Sequence, residues 1–132
     1  MARKKDDLGA LLLTDAELEI MTLLWNGHPA TVRDLVEALP PERKLAYTTV
    51  ATFLKILEQK GFVRGDKDER AIAYAPLVAR QDYEERTLRR LSRDLFRGEI
   101  GQMAVRLFEL DALSDAELDA LRRIVDARSK RP

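Results

Sequence analysis

The chain has 132 residues, of which 45% are hydrophobic and 35% charged; that suits one domain, or one small domain with an appendage, in a soluble, helix-rich protein. No apolar run approaches the roughly 18 residues of a membrane span, the basic start "MARKKDDLGALLL" lacks the apolar length and cleavage site of a secretory signal, and the absence of cysteine removes disulfides and thiolate chemistry. Twenty-three Lys and Arg balance twenty-three Asp and Glu, so the informative quantity is where the charges fall, not their sum.

Residues 1–12 read as a tail. A first helix is announced by Thr14-Asp-Ala-Glu17, a capping box in which hydroxyl and carboxylate each satisfy an orphan backbone N–H. Leu18, Met21, Leu24 and Trp25 form its expected apolar stripe, and "NGHP" ends it. A second helix is expected from Thr31, with Asp34 completing another cap, Val32, Leu35, Val36 and Leu39 on its buried side, and Pro40-Pro41 as its stop. In "LAYTTVATFLKILEQKGFV", Val50, Phe53, Leu54 and Leu57 recur at helical spacing, and Gly61 suits the left-handed residue after the helix.

That third helix opens on Tyr47, Thr48 and Thr49 and adds Thr52, residue types that are mediocre helix formers. Two readings account for them. In one, Thr48 or Thr49 caps the helix and Tyr47 packs against it; in the other, they face a partner outside the protein.

After Gly61 the period shifts towards 2. "FVRGD" and "AIAYA" read as the strands of a hairpin with the charged tip Lys67-Asp68-Glu69-Arg70. Charge separates along the same stretch: Met1–Glu42 holds four basic and eight acidic residues, whereas Arg43–Arg70 holds seven basic and four acidic.

From about Leu77 the pattern is helical again. Tyr83, Leu88, Leu91, Leu95 and Phe96 share a face. Arg86, Arg89, Arg90, Arg93 and Arg97 occupy much of the rest, as a solvated surface pairing with acids one turn away. Gly98 and Gly101 bracket a break, "MAVRLFEL" is a short apolar helix, and Ser114-Asp-Ala-Glu117 caps a last helix ending near Arg128.

Three helices followed by a hairpin are the element order of a winged helix-turn-helix domain, mainly α with a small β wing, expected over residues 13–77. In that architecture the third helix buries one face and offers the other to the DNA major groove, its amino-terminal residues nearest the bases. Thr48, Thr49 and Thr52 can then exchange hydrogen bonds with base edges or phosphates and touch thymine methyls, and Tyr47 can lie along the backbone. Lys55 and Lys60, further along, suit phosphates, and Arg64, Lys67 and Arg70 of the wing suit phosphates or the minor groove. Residues 78–132 carry apolar stripes but are a marginal length for an independent core. Pairing with a second chain solves this, making a helical dimerisation domain and a two-fold homodimer. Catalysis finds little support: the single histidine, His28, lies in a turn, no serine has a histidine partner pattern, and no residues have metal-ligand spacing. No cofactor is expected, and the compartment is expected to be cytoplasmic, without direct membrane insertion.

"LTDAELEIMTLLW", "AYTTVATFLKILEQKGFV", "RAIAYAP" and "LFELDALSDAELDAL" together resemble the penicillinase repressor family, which includes the methicillin-resistance and copper-responsive repressors; the likeness runs from about Leu13 to Ala127. The resemblance implies a homodimeric winged-helix repressor on a palindromic double-stranded DNA operator. Thr49 and Thr52 match threonines of the family's third helix. Ala46, Tyr47 and Thr48 stand where well-studied members have Ser-Pro-Lys, so an operator sequence does not carry over. In β-lactam-responsive members a membrane-bound sensor metalloprotease leads to a cut at an Asn-Phe bond in the dimerisation domain; the similar position here is Arg106-Leu107. The cysteine cluster of the copper-responsive members is absent. Two other functions fit the same elements: a winged-helix module that docks a protein, and a repressor released by a small ligand.

Overall fold

The computed structural model describes residues 12–68 and 70–130, the Asp68 side chain apart. The expected tail, except Leu12, and position 69 of the hairpin therefore lie outside the described residues. The elements in chain order are α1 (Asp15–Asn26), α2 (Val32–Ala38), a 3-10 turn (Pro41–Arg43), α3 (Tyr47–Gln59), β1 (Val63–Asp68), β2 (Ala71–Pro76), α4 (Arg80–Leu95), α5 (Ile100–Glu109) and α6 (Asp115–Ser129). Mainly helical, with one antiparallel hairpin after three helices, this is the winged helix-turn-helix order followed by a helical region. The chain divides into two compact units, the first ending at Leu88 and the second starting at Arg89.

In the first unit local chemistry sets the helix starts. Thr14 and Thr31 each accept from the N3 amide while Glu17 and Asp34 accept from the cap amide, completing both capping boxes. The third helix ends in a left-handed turn: Gly61 has φ +83, its N–H donates to the Glu58 carbonyl, and the Phe62 N–H donates to the Leu57 carbonyl. The core gathers Ile20, Met21 and Leu24 from α1, Leu35 from α2, and Val50, Leu54 and Leu57 from α3, with Phe62, Tyr74 and Tyr83.

The stripe of α1 differs from the expected one by a rotation. Its buried positions are Glu17, Ile20, Met21 and Leu24, whereas Leu18 is 38% exposed. A carboxylate heads the buried face because Lys60 reaches it: Nζ lies 2.8 Å from both oxygens of Glu17, which is 2% exposed. Phe53 and Val36, expected inside, are half-buried against the core. Because Asp68 pairs with Ala71, Lys67 and Asp68 belong to β1 and not to a tip. Ala30 exchanges two backbone bonds with Tyr74, at 3.0 and 2.8 Å, and so fastens the α1–α2 turn to the wing.

In the second unit, Ser114 and Glu117 form the third capping box. The break before α5 falls at Arg97–Gly98, both at positive φ, while Gly101, expected to bracket it, is inside the helix. Arg90 meets Asp94 at 3.5 Å, one turn on, as expected of the solvated arginine row. Only Ser92 and Met103 are buried among its described residues. Leu91, Leu95, Val105, Phe108, Leu110, Ile124 and Val125 are all exposed, Leu95 by 68%.

Candidate nucleic-acid interface

Three capping boxes make the start of α3 conspicuous, because it has none. Its N-cap is Ala46, with no side-chain hydrogen bond and no acidic residue in the first turn. Neither Thr48 nor Thr49 caps the helix, and Tyr47 is 58% exposed, so a purely local role for these residues does not describe this helix. The amides of an uncapped first turn have no intrahelical partner and carry the positive end of the helix dipole. They form a donor set for an anion supplied from outside.

The outward face of α3 follows from its buried one. With Val50, Leu54 and Leu57 in the core, Thr48, Thr52, Lys55 and Gln59 are exposed at i, i+4, i+7 and i+11, and Thr49 is exposed beside them. The Thr52 hydroxyl donates to the Thr48 carbonyl at 2.9 Å. That uses its only proton, so it offers an outside partner an acceptor and a methyl group. The hydroxyls of Thr48 and Thr49 bond no described residue and remain free to donate or accept.

Beside this face a groove of about 820 Å³ opens between α2, α3 and the wing. Its lining includes Arg33, Lys55, Lys67 and Arg70 around Tyr47, Ala51, Ile72 and Tyr74, and among the described residues no carboxylate lines it. Burial first, then the nearby Glu58 carboxylate and Tyr47, push the Tyr74 phenol upward, so it stays neutral. Four cations with no acid among the described lining residues concentrate positive charge here, in a chain of zero formal net charge.

Of the residues singled out in the sequence, the groove joins Tyr47, Lys55, Lys67 and Arg70, with Thr48, Thr49 and Thr52 on the adjoining helix face. It does not include Arg64. Strand alternation puts Val63, Gly65 and Lys67 on one face of the hairpin and Arg64 and Asp66 on the other. There Arg64 Nη2 meets Asp66 at 2.9 Å, and its charge is locally compensated. Lys60 is held by Glu17 and has no charge to spare for a phosphate. Arg33, which the sequence marks only by its place in the first turn of α2, also lines the groove; its loose pairing with Glu37 at 3.8 Å leaves the side chain 83% exposed. Arg106 and Leu107 lie in the second unit, both exposed and within α5.

The wing is held in position against α3. The Gly65 N–H donates to a Glu58 carboxylate oxygen at 3.3 Å. A Cβ added at Gly65 would stand 2.8 Å from Ile72 Cγ2 and 2.9 Å from Tyr74 Cε1, so glycine is what lets the cross-strand Tyr74 ring lie over β1.

Among the described residues no group of His, Cys, Asp or Glu has the arrangement of a metal site, and no helix is long and apolar enough to cross a membrane.

Residues 13–127 match the model of the family described as penicillinase repressor. Similar proteins include the methicillin resistance regulatory protein MecI of Mammaliicoccus sciuri, 25% identical over 116 residues that cover 88% of this chain and 94% of that protein. The penicillinase repressor of Bacillus licheniformis is 26% identical over 119 residues, covering 90% and 93%. The transcriptional regulator BlaI of Mycobacterium tuberculosis is 45% identical over 71 residues, 53% of this chain and 51% of that one. Among solved structures, that of monomeric Bacillus licheniformis BlaI in complex with the blaP half-operator is similar with 27% identity and a TM-score of 0.48, over 56% of this chain and 90% of that one. The family is one of transcriptional repressors and not of enzymes. With the family match running over nearly its whole length, the chain belongs to the penicillinase repressor family.

Proposed function

We propose that this chain is a transcriptional repressor that binds a two-fold-related DNA operator as a homodimer. The observation that carries the reading is the uncapped, threonine-faced start of α3 beside a groove whose described lining holds four cations and no acid. Thr48, Thr49 and Thr52 read base edges, Tyr47 lies along the sugar-phosphate backbone, and Arg33, Lys55, Lys67 and Arg70 neutralise phosphates. Arg64 contributes less, since its partner is Asp66. The exposed leucine-rich faces of the second unit support dimerisation, because a monomer would leave them in water. Two recognition helices then address half-sites one or two helical turns apart. Selection from a pool of random duplexes tests this reading: it should enrich a pseudo-palindrome with that spacing, and a pool without enriched sequence would contradict it.

Release by proteolysis belongs to the same reading through the Arg106–Leu107 bond. That bond is exposed but helical, with Arg106 3.8 Å from Glu109, so a membrane-bound sensor metalloprotease or a protease it activates must unwind α5 locally before cutting. Intact-mass analysis of the repressor from induced cells should show a fragment ending at Arg106. Full-length chain alone, with the target genes expressed, would contradict release by this cut.

A further inference from the structure

A second groove, of about 440 Å³, runs between α1 and α4 within the first unit. Its walls include Leu18, Thr22 and Trp25 on one side and Thr87 and Leu88 on the other, with the Arg80–Glu84 pair also lining it. The polar groups here are already used. Thr22 Oγ1 donates to the Leu18 carbonyl and Thr87 Oγ1 to the Tyr83 carbonyl, both at 2.8 Å. Trp25 Nε1 donates to the Val78 carbonyl at 2.9 Å, and the Arg80 guanidinium stands 5.9 Å from the Trp25 ring centre. What remains for a partner is apolar: Leu18 and Leu88 are 38% and 49% exposed.

We infer that a second copy of this chain covers this groove, so that the dimer contact reaches the DNA-binding unit; the inference rests on the dimer proposed above. Leu88, Leu91 and Leu95 are exposed at i, i+3 and i+7 of the single helix α4. With a rise of about 1.5 Å per residue, Leu88 lies only about 4.5 Å along the axis from Leu91. A partner surface that covers Leu91 is thus within one side chain of the groove wall. The chain also carries a fitting occupant. In α6, Leu118, Leu121 and Val125 recur at i, i+3 and i+7, an apolar stripe that suits the apolar surface left between Leu18 and Leu88. Coverage of α1 by the partner would tie dimerisation to the element on which the recognition helix packs.

The full chain has one tryptophan, and it lines this groove, so its emission reports coverage. A dilution series followed in parallel by sedimentation velocity and Trp25 fluorescence should show the emission shifting to longer wavelength as dimer gives way to monomer, with coincident midpoints. Leu18→Glu, at a position already partly exposed, should raise the dimer dissociation constant about tenfold or more, because the new charge must be buried. Dissociation with constant Trp25 emission and an unchanged constant for Leu18→Glu would overturn the inference while leaving the dimer standing. That is also the result if residues 1–11 of the same chain fill the groove. A chain that is monomeric at every concentration would remove the dimer itself, and this contact with it.

Discussion

At the scale of single residues, Thr49 and Thr52 differ in what they can offer a partner of α3. Thr52 has spent its proton on the Thr48 carbonyl, so in the proposed complex it offers a base only an acceptor and a methyl group, while Thr49 retains its full hydroxyl. Thr49→Ala with Thr52→Ala should lower discrimination between operator and random duplex by about 1–3 kcal/mol per base readout removed; competition titrations that return wild-type discrimination would place the readout elsewhere. Glu17 matters to the fold. Burial acts to raise its carboxyl pKa, but hydrogen bonds from Lys60 and Thr14 and the Lys60 charge outweigh this and hold it below its ordinary value of 4.5. A lowered folded-state value stabilises the protein above about pH 4.5, and that contribution is lost as pH falls through the lowered value. Glu17→Gln should cost about 1–3 kcal/mol at neutral pH, with the gap to wild type closing below pH 4.5 in denaturant melts. A pH-independent gap would mean that the charge is not what Lys60 recognises.

At the scale of elements, much is legible where the chemistry is local. The capping boxes at Thr14, Thr31 and Ser114 span three residues each, and Gly61 marks its helix end, so those boundaries follow from spacing alone. The stripe of α1 is not legible, because it begins with Glu17, whose partner Lys60 is 43 residues away; no local period shows that a carboxylate will be neutralised inside. The wing hides its faces for a related reason. Arg64 and Lys67 look alike in sequence, and only the register, with Gly65 opposite Tyr74, sends them to opposite faces. This yields a contrast to measure. Lys67→Ala with Arg70→Ala should reduce the slope of log affinity against log salt by about 2, near 0.9 for each phosphate no longer neutralised, whereas Arg64→Ala should change it little. Equal effects from all three would show that the wing meets DNA through both faces. Gly65→Ala should destabilise the wing by about 1–3 kcal/mol, since the new methyl meets Tyr74 and Ile72 at under 3 Å; an unchanged melting temperature would show that the Tyr74 ring moves aside freely.

At the scale of the whole molecule, the balance of 23 positive and 23 negative residues conceals a division of labour. One unit has a core and a groove whose described lining is cationic without an acid; the other exposes most of its leucines. In the proposed repressor the first unit reads DNA and the second pairs two readers. The groove itself is not legible in the sequence, because Arg33, Lys55 and the wing residues Lys67 and Arg70 come from separate elements that meet only in the folded unit. The most direct test of a DNA-reading repressor is binding of the full chain to the DNA upstream of its own gene, against scrambled DNA of equal length, over a series of salt concentrations. Strong preference for the upstream DNA is expected, with affinity for both duplexes falling steeply as salt rises. Equal binding to both with little dependence on salt would contradict it, and would leave the cationic groove without a nucleic-acid partner.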